Sequence, residues 1–356
     1  MYRIVFAAII LCAMANATLA DIVTGTDSTA LSTVKVFDYT TGTEEASFLS
    51  YGGAFTGGVR VATGDLNGDA VADIITGAGD LGSGHTKVFD GVTGGEIRSF
   101  FAYGPSYSGG VFVAGGDVNH DFTSDIITGA DAGAGPHVKV FDGNSNAEIR
   151  SFFAYAPGFT GGVRVAAGDI NNDGFADIIT GAGTAGGGHV KVFDGSSGTE
   201  LRSFFAYSAY TGGVYVAGGD VNHDGRADLI TGTDAGVAAH VKVFDGLTGS
   251  EIRSFFAYAP GFTGGVRVAA GDVNGDGFAD IITGPGQGGN GQIKVFDGIT
   301  SLEIRSFLAY GTGYPSGVFV ASTDLSVPEP SSVAGVLLAL PWALSRRWRP
   351  TINRRR

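Results

Sequence analysis

The stretch Gly271-Asp272-Val273-Asn274-Gly275-Asp276-Gly277-Phe278-Ala279-Asp280-Ile281-Ile282-Thr283-Gly284 decides how the chain is read, because variants of it recur along its length. Its first aspartate returns at Asp65, Asp117, Asp169, Asp220, Asp272 and, in damaged form, Asp324, in steps of 52, 52, 51, 52 and 52 residues. That period belongs to propeller blades rather than helical repeats. In this unit Val266–Ala269, Asp280–Thr283, Ile293–Phe296 and Glu303–Tyr310 are strand-like runs separated by turn residues, here called A to D. Four antiparallel strands per repeat, set around an axis, predict an all-β, six-bladed β-propeller.

Neither end of the body holds a whole repeat. Asp21–Gly25 reads as a B strand with no A strand before it, and Gly317–Ala321 as an A strand with no B strand after it. Pairing the two closes the ring with a composite sixth blade. A second period supports this: the middle of strand A alternates Arg60, Phe112, Arg164, Tyr215, Arg267, Phe319, and both halves of the split blade match the aromatic class. The ring reads as three copies of a two-blade unit.

Of 356 residues, 61 are glycine, well over twice the usual share of about 7%. With 44% hydrophobic residues available for a core, these glycines mark tight turns rather than disorder. The formal charge is −13, and seven of the 22 basic residues lie at the ends (Arg3, Arg346, Arg347, Arg349, Arg354, Arg355, Arg356), so the body is more acidic still. Such a surface repels nucleic acid and attracts cations.

Residues 1–20 read as a secretory leader: Arg3, the apolar run Ile4–Met14, then small residues to Ala20. Cleavage after Ala20 would leave Asp21 first, and cleavage after Ala17 fits nearly as well. The single cysteine, Cys12, lies in this leader, so the body, residues 21–326, has no thiol. Residues 327–356 hold Val327-Pro328-Glu329-Pro330, the apolar stretch Val333–Leu344 and an arginine-rich end. Twelve apolar residues fall short of the roughly 20 that span a bilayer. The order resembles the PEP-CTERM sorting signal, which implies processing by an exosortase-type enzyme, transient membrane contact and delivery to the cell surface or extracellular matrix.

The A–B loop reads Asp-x-Asn-x-Asp-x-x-x-Asp five times: Asp65-Asn67-Asp69-Asp73, Asp117-Asn119-Asp121-Asp125, Asp169-Asn171-Asp173-Asp177, Asp220-Asn222-Asp224-Asp228 and Asp272-Asn274-Asp276-Asp280. Oxygens at positions 1, 3 and 5 can converge as the loop curls. The carbonyl at position 7 (Val71, Thr123, Phe175, Arg226, Phe278) and the carboxylate at position 9 can complete the shell. An all-oxygen shell of six or seven suits Ca²⁺, for up to five ions. Asx-rich turns also form without metal, but fifteen acids clustered in threes would repel without cations. Position 6 needs a sharp turn, which Gly174, Gly225 and Gly277 provide. Ala70 and Phe122 stand there in the first two loops, which are expected to bind more weakly. Asp324 and Asp21 are the remnants of a sixth loop, where no tight site is expected.

These loops, followed by Asp280-Ile281-Ile282-Thr283-Gly284 and its copies, resemble the FG-GAP/VCBS repeats best known from the propeller of integrin α subunits. The resemblance spans Asp21 to about Asp324. It implies calcium on one face and ligand contacts on the other. Integrin propellers have seven blades against six here, so integrin-type partners do not carry over.

Three further sets recur on the face away from the acidic loops or at the axis. His85, His137, His189 and His240, with Gln292 in the fifth unit, precede strand C and lie too far apart to share a metal. The D–A loops carry Tyr103 and Tyr107, Tyr155 and Phe159, Tyr207 and Tyr210, Tyr258 and Phe262, Tyr310 and Tyr314; packing between blades is the favoured reading, stacking on sugar rings the other. The arginines of strand A suit cation–π contacts between blades better than anion binding in the channel. The functional expectation is an exported, calcium-stapled surface or matrix module that binds polysaccharide or a surface protein through repeated weak contacts. The alternative is a propeller enzyme, a polysaccharide lyase or phosphoester hydrolase, which would need an unrepeated acid–base constellation.

Overall fold

A computed structural model describes residues 19–325; the stretch 327–356 read as a sorting signal, and the stretch read as a leader apart from Leu19 and Ala20, lie outside the described residues. The described chain forms six four-stranded antiparallel sheets, the blades of a β-propeller, with no helix among the described residues. Blades one to five begin at Val59, Val111, Val163, Val214 and Val266. The sixth is the composite: Val318–Ser322 pairs with Ile22–Thr26, from Ile22 opposite Ser322 to Thr26 opposite Val318. Thr33–Phe37 and Glu44–Leu49 complete it.

Burial follows each strand's place in the blade. Strand B (Asp73–Ala78 and its copies) is buried at every residue, because neighbouring blades cover both its faces. Strand D alternates, as an outer edge with one wet side does. It is also shorter than its sequence suggests: the fifth copy is Glu303–Leu308, and Tyr310 has already left it.

Two devices set the spacing between blades. At Gly77 a Cβ would sit 2.3 Å from Val111 O of the next blade, and Gly25, Gly129, Gly181, Gly232 and Gly284 are as confined. Only glycine permits that approach. Tyrosines from the D–A loops then latch blade to blade. Tyr155 Oη donates to His189 O at 2.9 Å, and Tyr258 to Gln292 O at 2.8 Å. Tyr51, Tyr103, Tyr207 and Tyr310 do the same, the last to Thr33 O across the closure. These rings are structural, as the packing reading expects.

The axis is filled from one end. Arg60 lies over Phe112 and Phe319, Arg164 over Phe112 and Tyr215, and Arg267 over Tyr215 and Phe319. Each guanidinium also pairs with an aspartate that follows strand B of the next blade: Arg60 with Asp131, Arg164 with Asp234, Arg267 with Asp27. The three two-blade units read from sequence are therefore physical, each locked by an ion pair between a buried arginine and a half-buried aspartate.

Candidate metal loops and the opposite rim

All five acidic loops take one conformation. In the second, Asp117 Oδ1 accepts from the Asp121 N–H at 3.1 Å and Oδ2 from the Phe122 N–H at 2.8 Å. Asn119 Oδ1 accepts from Asp121 N–H, and Asp121 Oδ1 from Thr123 N–H, both at 3.0 Å. The carboxylates at positions 1 and 5 thus curl the loop by capping its own amides. As placed, they do not meet: among the described residues no three His, Cys, Asp or Glu side chains form a group that could grip an ion.

Position 9 is different. Asp73, Asp125, Asp177, Asp228 and Asp280 are fully buried. Burial above all pushes Asp125, Asp177, Asp228 and Asp280 up to about 7, against backbone N–H bonds that pull the other way; positions 1 and 5 add repulsion. Asp73 is raised for the same main reason. Asp280 Oδ2 has no hydrogen-bond partner among the described residues.

Sequence reasoning missed two features of the loop. Position 4 as well as position 6 is left-handed: His120, Asn172 and His223 have φ of 60°, 59° and 58°, and Gly68 and Gly275 stand in the other two loops. At position 6 Ala70 and Phe122 hold φ of 63° and 68°, a conformation that favours glycine. The second omission is another carboxylate. Asn67, Asn119, Asn171 and Asn222 donate through Nδ2 to Asp90, Asp142, Asp194 and Asp245 of the C–D turn at 2.8–3.0 Å. The recurring Phe-Asp-Gly at the end of strand C (Phe89-Asp90-Gly91) was the available signal. Each of these four loops is therefore bordered by four acids and an asparagine, all oxygen donors, with one acid buried and short of counter-charge. A hard divalent cation of the size of Ca²⁺ fits those demands, through positions 1, 3, 5 and 9 and the carbonyl at 7.

In the split blade, position 1 is Asp324 and position 9 is Asp21. Asp324 Oδ2 accepts from Asp272 N–H at 2.6 Å, tying the end of the ring to the fifth loop. Asp21 is pushed up to about 6 by burial, then by Glu45 and Asp38.

The opposite rim carries the histidines, each the first residue of strand C. His85, His137, His189 and His240 place Nε2 2.8 Å from Ser99, Ser151, Ser203 and Ser254 of strand D. Against them lie Phe101, Phe153, Phe205 and Phe256, with ring centroids 4.5–4.7 Å away. These phenylalanines are 50–65% exposed. Sequence reading passed over them and pointed to the loop tyrosines, which are buried as latches; a Phe-Phe pair in a strand does not by itself show which ring faces water.

An FG-GAP-like repeat profile matches residues 220–283, and an FG-GAP repeat profile matches residues 161–198. No curated protein sequence matches the chain. Among solved structures, a protein of unknown function from Bacteroides caccae is similar at 9% identity over 86% of this chain and 99% of its own, with a TM-score of 0.51. The rhamnogalacturonan lyase YesW (12% identity, 82% of this chain, 64% of that one) and a Bacillus licheniformis rhamnogalacturonan lyase (14%, 85% and 70%) both give a TM-score of 0.42.

Proposed function

We propose that this chain is an exported, calcium-stapled binding propeller that holds polysaccharide through the phenylalanine platforms of its rim. The observation that carries the reading is the fourfold recurrence of Phe101, Phe153, Phe205 and Phe256, each exposed and each packed against a histidine tethered to a serine. An exposed phenylalanine held rigid four times over offers flat apolar faces beside hydroxyl and imidazole groups, the pairing that a sugar ring needs. Four weak contacts on one rigid ring add through effective concentration. Polar groups that recur from blade to blade suit repeated binding better than a single reacting centre.

Calcium in the five loops would stiffen the loop face, where the N–H groups of Ser124, Ala176, Ala227 and Ala279 donate to the position-1 carbonyls of the preceding blades, in an exterior where the ion is plentiful. Extracellular modules of this type bind with dissociation constants of roughly 10⁻⁴–10⁻³ M. The leader and the sorting signal supply the route: export, then exosortase-type processing at the surface or in the matrix. The test is retention of the purified protein on the producing organism's exopolysaccharide, with Ca²⁺ and with chelator. The wild type is retained in Ca²⁺, and the quadruple variant F101A/F153A/F205A/F256A is not. Equal retention of the two, or none for a folded wild type, overturns the glycan reading.

A further inference from the structure

The register across the ring closure bears on where the leader ends. In blade one Asp73 pairs with Gly64 and Ile74 with Thr63. In the split blade Ile22 pairs with Ser322, and Thr323 N–H donates to Asp21 O at 3.0 Å, so Asp21 occupies the place of Asp73 and Ala20 that of Ala72. Position 8 is alanine in four of the five complete loops, and Ala72, Ala176 and Ala227 are buried there. Ala176 and Ala227 are members of the apolar clusters between blades. Ala20 does the same work. It is 8% exposed and packs in the cluster that joins blade five to blade six, with Ile22, Phe37, Ala269 and Val273. Leu19 lies against Gly275 of the fifth loop, where an added Cβ would meet its Cδ2 at 2.8 Å.

Leu19 and Ala20 are thus part of the sixth blade and not of the leader. The sequence offers another cut three residues upstream, where Ala15-Asn16-Ala17 has small residues on both sides of a spacer. We propose that, of the two cuts the sequence allows, the leader is removed at the one between Ala17 and Thr18. Water adds across the Ala17–Thr18 amide in a signal peptidase, leaving a carboxylate on Ala17 and an α-ammonium on Thr18. The site keeps the position-8 methyl in the closing core. It also keeps Asp21 N as an amide, whose N–H is already given to Thr323 Oγ1 at 2.7 Å.

This rests on the reading of an export leader, and the experiment separates the two. The full precursor is expressed in a secreting bacterium, and the exported protein is read by N-terminal sequencing and intact mass. A first residue of Thr18 is expected. An exported protein that begins at Asp21 overturns the inference and leaves export standing, whereas an unprocessed chain held in the cytoplasm overturns both. As a second measurement, chains beginning at Thr18 and at Asp21 are released from N-terminal fusions and melted in Ca²⁺. The longer chain is expected to melt at least about 2 °C higher; equal midpoints overturn the structural reason for the cut.

Discussion

The two ends of strand B pose one electrostatic problem and meet it differently. At the axial end of the even blades, Asp27, Asp131 and Asp234 receive Arg267, Arg60 and Arg164 from the neighbouring blade. Burial alone would raise Asp234, yet Arg164 and the Ala235 N–H hold it below the usual carboxylate range. At the loop end, Asp125, Asp177, Asp228 and Asp280 have amides for company but no ion pair among the described residues, and they stand near 7. A buried carboxylate needs a positive charge. One end carries it in the sequence, and on the proposed reading the other takes it from solution.

Removing divalent cations should break the comparison most widely. At ten to a hundred times its dissociation constant, an ion contributes about 1.4–2.7 kcal/mol per site, so chelation should lower the melting point by many degrees. The loss should grow with pH. Without an ion, a carboxylate raised from about 4 to about 7 gives stability that is complete below pH 4 and gone above pH 7. The ion, in contrast, requires the ionised form. Chelated protein should therefore melt higher at pH 5 than at pH 8, while the gain from Ca²⁺ is larger at pH 8. Calorimetry at the two pH values checks both signs; a calcium effect independent of pH would mean that the position-9 aspartates do not hold the ion.

Next in size is the axial pair. Arg164→Met leaves the half-buried Asp234 with the Ala235 N–H but without its paired cation, a loss of about 1.5–3 kcal/mol. Saturating Ca²⁺ should not restore it, because the ion acts at the far end of the strand. Denaturant unfolding in Ca²⁺ measures the loss, and adding Asp234→Asn should recover part of it by removing the orphaned charge.

Asp177→Asn sharpens the contrast, since its sign should depend on the ion. In chelator at pH 8 the variant is expected to be more stable than wild type, having lost an uncompensated charge. In Ca²⁺ it should be less stable by about 1.4–2.7 kcal/mol, one site's worth, with one fewer ion bound by titration calorimetry. Destabilisation under both conditions would show that the Asp177 bonds to Ile170 N–H and Gly195 N–H outweigh its charge.

The sequence made the ring legible because a repeat of about fifty residues states every blade boundary five times and the two half-repeats must find each other. It also made the acidic loops legible as five copies of one turn, whose carboxylates at positions 1 and 5 cap the loop's own amides. What it concealed depended on distances across blades. Tyr103 and Phe101 are two residues apart and both aromatic, but one is buried against His137 O of the next blade and the other faces water. Asp90 lies 17 residues beyond Asp73, yet the B–C hairpin brings it to the same loop, beside Asn67.

The smallest effect belongs to the loops that lack glycine at position 6. Phe122 is 77% exposed and holds φ of 68°, so it gains nothing by burial while its Cβ crowds the backbone. Glycine there removes about 1–2 kcal/mol of left-handed strain, offset in part by the greater freedom glycine gains in the unfolded chain. Phe122→Gly is therefore expected to raise stability by 1 kcal/mol or less, in Ca²⁺ and chelator alike. If the strain falls mainly on the ion-closed loop, the gain should be larger in Ca²⁺, and the second site should tighten toward the third. Ala70→Gly in the first loop should repeat the result at φ 63°. Titration of the two variants against wild type distinguishes a loop strained in itself from one strained by closing on its ion.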